Sequence, residues 1–208
     1  MKMLNKIKYL ANIIVATIFV VFLLPHNVFA ACSVNGYTVA YINGILTSEI
    51  DARKDKNTLE STFSYISGRN DVKFINGYNE SHIGGAGDLI ESASQLLGAS
   101  VSNYDRDTIL NEIYPQITTR KMLLVGHSQG TFYANEIYNY LVAHGEPKGS
   151  LSVYNLATPA SFVAGNGNYL TSENDKIVNA VRDLAAKVSA PQPLPANISI
   201  PLSPEETA

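Results

Sequence analysis

The 208-residue chain is long enough for one domain with a sizeable core, and its single Cys excludes any internal disulfide. Its 15 Lys+Arg against 18 Asp+Glu give a net charge of −3, which argues against nucleic acid and anionic membrane surfaces as partners. The four His are scattered, and no Cys/His grouping has the spacing of a zinc site.

The first thirty residues read as a signal peptide. Lys2, Lys6 and Lys8 form a positive start, Leu10 to Leu24 is an apolar run, and Val28 and Ala30 occupy the small-residue positions of a cleavage site. The run falls short of the roughly 18 residues a membrane span needs, so no stable span is expected after cleavage. The polar Pro25-His26-Asn27 break favours ordinary cleavage after Ala30 over lipidation at Cys32. Losing three Lys leaves 12 basic against 18 acidic residues, a mature net charge of −6, on an exported protein that is periplasmic, at the cell surface or secreted.

Residues 31–188 alternate strand-like and helix-like segments, the pattern of an α/β domain with a mostly parallel central sheet and helices on both faces. "YTVAYI" (37–42) predicts a buried strand closed by Asn43-Gly44, residues 55–67 a helix, and "VKFI" (72–75) a second strand. Helical spacing of apolar residues predicts helices over 88–97 and 107–117. "MLLV" (122–125) has the continuous apolar character of a strand covered on both faces, and Ala134, Ile137, Tyr138 and Leu141 mark a helix after it. Strands are expected at 151–157 and 168–171, and a helix at 177–188. Five of the nine Pro fall between Pro191 and Pro204, so residues 189–208 read as a linker or an extended surface segment. "GGAG" (84–87) lacks the Lys-Ser/Thr of a phosphate loop and reads as a lead-in to the helix at Asp88.

The segment with chemistry in it is Gly126-His127-Ser128-Gln129-Gly130. A sharp strand-to-helix turn forces its middle residue into strained backbone geometry and stands its side chain clear of the sheet. The residues two before and two after must be small, because strand and helix backbones nearly touch there. Gly126 and Gly130 meet that need, and Ser128 is placed at a helix N-terminus that favours developing negative charge.

Across most of residues 37–188 the chain resembles the α/β-hydrolase family, particularly its small exported lipase- and esterase-like members. The Gly-x-Ser-x-Gly elbow is the one highly specific motif of that resemblance. It implies a serine acyl hydrolase acting on small-molecule or lipid carboxylic esters through an acyl-enzyme, without a cofactor or metal. Ser128 is then the nucleophile, and the backbone N–H of Gln129 the first oxyanion donor. The second is expected in "YINGI", from Ile45, with Gly44 permitting close approach and Asn43 standing where the family often has His. The family's triad order of Ser, acid, His points to Asp175 as the acid, with Glu173 as the alternative in the same turn.

The resemblance departs at the base. No His follows Asp175. His127 adjoins the nucleophile and points elsewhere, His144 falls at the far end of the following helix, and His82 would be out of family order. The expectation is therefore an α/β-hydrolase-like domain incomplete at its C-terminus, with the catalytic His and last strand beyond residue 208. The alternatives are a non-catalytic hydrolase-like binding domain, or an acyltransferase using the same nucleophile. Residues 79–118 could form a lid over an apolar cleft or enlarged outer helices.

Overall fold

A computed structural model describes residues 36–45, 47–79, 101–117 and 121–200. The expected signal peptide, the helix at 88–97, "GGAG", Cys32 and His82 lie outside those residues.

Five parallel strands form one sheet: β1 (Tyr37–Ile42), β2 (Val72–Gly77), β3 (Lys121–His127), β4 (Leu151–Leu156) and β5 (Asn168–Leu170), in the order β2-β1-β3-β4-β5. The α-helices are α1 (Glu49–Ser67), α2 (Asn103–Ile117), α3 (Gly130–Ala143) and α4 (Lys176–Lys187). The α/β fold expected from the alternating pattern is the one found. In this order the chain steps one way from β1 to β2 and the other way from β3 onward. The reversal leaves a crevice outside the carboxyl ends of β1 and β3, where open α/β sheets bind ligands.

Strand alternation sorts the core. Ala40, Ile42, Met122, Leu124 and Val153 face α2 and α3, packing with Ile109, Ile113, Tyr133 and Ile137. Val39, Tyr41, Phe74 and Val125 face α1 and meet Leu59 and Phe63, with Phe63 and Phe74 ring centroids 5.6 Å apart. Both faces are thus apolar, which is why β3 reads as a continuous apolar run and β1 as a buried strand.

Helix α1 starts six residues before the expected position. Ser48 caps it by accepting from Asp51 N at 3.1 Å, and Arg53–Glu49 and Lys56–Glu60 pair one turn apart. Its first turns bury only Ala52, so no apolar period marks them. It stops at Gly68, whose φ of 65° is left-handed and whose N–H reaches Ser64 O. Helix α2 likewise begins earlier than expected, at Asn103, and carries Pro115 in its last turn, where it removes the one bond that a residue-115 N–H would make to Asn111 O.

The Pro-rich segment is extended, and through residue 200 it is docked. Ser172 and Ile198 form a parallel bridge beside β5, Asn197 Nδ2 donates to Tyr169 O, and Arg182 donates to Leu194 O. Between the two readings offered by its composition, the extended surface segment describes residues 191–200.

Candidate active site

Ser128 follows β3 directly and has φ 52°, a left-handed conformation that side chains rarely adopt. Its N–H still donates to Leu156 O at 2.9 Å, so the strand is held to its last residue before the chain turns. Two residues on, α3 begins. The strained turn expected of Gly-x-Ser-x-Gly is present.

The glycines explain how the turn closes. A Cβ on Gly126 would lie 2.6 Å from Thr131 Cα and 2.7 Å from Gly130 O. One on Gly130 would lie 2.6 Å from Asn43 O, and closer still to Ile42 O. Any side chain at either position drives backbone against backbone. A third glycine belongs to the same arrangement: a Cβ on Gly44 would be 2.7 Å from Ser128 Cβ and 3.3 Å from Ser128 Oγ. The β1 loop therefore lies directly against the serine, and Gly44, Gly126, Ser128, Gln129 and Gly130 come together at the carboxyl ends of β1 and β3, with Ile45 next in the chain after Gly44.

Gln129 occupies the N-cap of α3 and makes no side-chain capping bond. Thr131 N donates to Ser128 O and Phe132 N to Gln129 O, both at 3.0 Å, so these two amides are taken within the turn itself. Thr131 Oγ1 donates to Ser128 O at 2.7 Å, Thr158 Oγ1 donates to Thr131 Oγ1 at 3.0 Å, and Thr171 Oγ1 accepts from Thr158 N at 3.1 Å. Thr131, Thr158 and Thr171 are fully buried or nearly so, and they tie the elbow to the ends of β4 and β5. Sequence reading missed this relay, because isolated Thr residues between apolar neighbours carry no periodic signal.

Asp175 is the N-cap of α4: its Oδ1 accepts from Val178 N at 2.9 Å. It also lies within Coulombic range of His127. Glu173 is exposed and accepts from Ser199 Oγ.

His127 shares the parity of Leu123 and Val125 and so faces α1. Burial pushes its pKa below the ordinary 6.5, with the charges of Asp55 and Asp175 opposing that shift only in part. Beside it, Tyr41 donates to Asp55 Oδ2 at 3.4 Å, and burial together with the Asp55 charge raises the phenol pKa. His144 caps the far end of α3, about 21 Å along the helix from its start. There it stacks on Tyr140, with ring centroids 3.9 Å apart. Among the described residues no hydrogen bond joins Ser128 Oγ to a histidine.

No protein-family model and no curated protein matches this chain.

Proposed function

We propose that the protein is an exported serine acyl hydrolase of α/β-hydrolase type, acting on carboxylic esters. The observation that carries this reading is the strained Ser128 between a central strand and a helix N-terminus, with Gly44 packed against its side chain.

Ser128 Oγ attacks the ester carbonyl while its proton passes to a base, and the carbonyl oxygen becomes an oxyanion. The N–H groups of Gln129 and Ile45 receive that charge. Collapse breaks the bond to the alcohol, which leaves with a proton, and forms the acyl-serine. Water then cleaves the acyl-serine, releasing the carboxylic acid and restoring Ser128. The base is a histidine outside the described residues. Asp175 is the group proposed to orient it, since a carboxylate holding one capping bond retains capacity to accept from an imidazole N–H. Transfer to an acceptor other than water uses the same groups.

The test is hydrolysis of p-nitrophenyl esters of graded acyl length by the purified protein and by Ser128→Ala. The expected outcome is turnover by the native protein that falls by about 10³-fold or more in the variant, to what an oxyanion site and binding alone supply. Turnover undiminished in Ser128→Ala removes the serine from the role. Ester binding without turnover identifies a non-catalytic binding domain instead.

A further inference from the structure

We propose that Asn43 is a positioning residue that aims the Ile45 N–H at the oxyanion, held in place by a buried chain of amides through Asn79 to Gln129. The proposal rests on the hydrolase reading of Ser128 and assigns a function to side chains that reading does not use.

Strand β1 lies between β2 and β3, and Ile42 is in register with Gly77 on one side and Gly126 on the other. One residue later, the Asn43 side chain accepts from Asn79 N at 2.8 Å and donates to Asn79 O at 3.0 Å. Two bonds exchanged with the backbone of a single residue reproduce a rung of the sheet. The rung is made by a side chain, so the main chain of residues 43–45 is released from the ladder. It can then bend toward the elbow, where Gly44 meets Ser128.

The same Asn43 Nδ2 also donates to Gly44 O at 3.0 Å. That carbonyl and the Ile45 N–H belong to one trans peptide plane and point in opposite directions. Holding the carbonyl toward the Asn43 amide, which bridges to the β2 side, turns the Ile45 N–H toward the β3 side, where Ser128 stands.

Asn79 Nδ2 donates to Gln129 Oε1 at 3.3 Å, closing a circuit from the β1 loop through the β2 loop to the elbow. Asn43, Asn79 and Gln129 are at most 1% exposed. Among the described residues, Asn79 Oδ1 and Gln129 Nε2 are buried and find no hydrogen-bond partner. Buried amides that are only partly satisfied cost stability relative to apolar side chains of similar size. A circuit of this kind at the mouth of the crevice is explained by what it positions.

The experiment follows inactivation of the full chain by a fluorophosphonate, resolved into KI and kinact, with adducts counted by intact mass. Asn43→Asp keeps an acceptor for Asn79 N–H and loses the donor to Gly44 O. The expected result is kinact lowered about 10- to 100-fold, less than the roughly 10²- to 10³-fold that removing an oxyanion donor outright costs, because the N–H is misaimed rather than lost. KI should stay within about twofold and the final adduct at one per folded molecule, since initial binding does not use that N–H. Should Asn43→Asp not fold, Asn43→Ser is read the same way. A folded variant reacting at the native kinact overturns the proposal, as does failure of both variants to fold, which would make the role structural. If the native protein forms no adduct at Ser128, the underlying hydrolase reading fails and takes this proposal with it.

Discussion

Gly44 and Ser128 are in such close contact that no side chain fits between them: a Cβ on Gly44 would stand 2.7 Å from Ser128 Cβ. The Gly130 neighbourhood is tighter, because there the obstacle is the backbone of β1. The two glycines should therefore fail differently. Gly130→Ala is expected to destabilise the fold by about 3 kcal/mol, since rigid backbone must move. Gly44→Ala can be relieved by displacing a loop and one serine, so it should cost less stability and more reactivity. Urea denaturation and fluorophosphonate reactivity of both variants check this. Equal stability loss would show that the β1 loop is as rigid as the strand.

Asp175 separates capping from catalysis. Asp175→Ala should lose about 1 kcal/mol of stability with the cap of α4, whereas Asp175→Asn should hold within a few tenths, because Asn caps about as well as Asp. If Asp175 also orients the base, both variants should lose ester turnover by roughly 10⁴-fold. An Asp175→Asn protein with native turnover would leave the residue as a cap alone.

The strands and the elbow were legible in the sequence for one reason. "YTVAYI" reads as a buried strand rich in β-formers and "MLLV" as a continuous apolar run because both faces of β1 and β3 are covered by helices, and the glycines at 126 and 130 follow from backbone contact. The start of α1 was not legible, since its first two turns are charged and bury only Ala52. The Asn43–Asn79–Gln129 circuit was not legible either. Its bonds join residues 36 and 50 apart by side-chain amides, which leave no period in the sequence. Composition correctly kept helix out of residues 191–200, but Pro content says nothing of docking. The docking depends on Asn197 bonding to Thr171 and Tyr169.

His127 makes the fold sensitive to acid. Its folded pKa lies below the unfolded value near 6.5, so between those two values the unfolded chain binds more protons and stability rises with pH. The stabilisation is complete above about 6.5 and is lost as pH falls toward the folded pKa. Replacing His127 with Gln should flatten the dependence. Urea midpoints at pH 7.5 and 5.5 are expected to differ more for the native protein than for His127→Gln. Equal differences would show that carboxylates alone set the acid response.

The most direct measurement treats the purified full-length protein, with its catalytic histidine present, with a fluorophosphonate probe and maps the adduct by peptide mass spectrometry. One adduct on the peptide containing Ser128, absent in Ser128→Ala, is the predicted result. Absence of any adduct, or labelling that persists in Ser128→Ala, would contradict the assignment of Ser128 as a nucleophile.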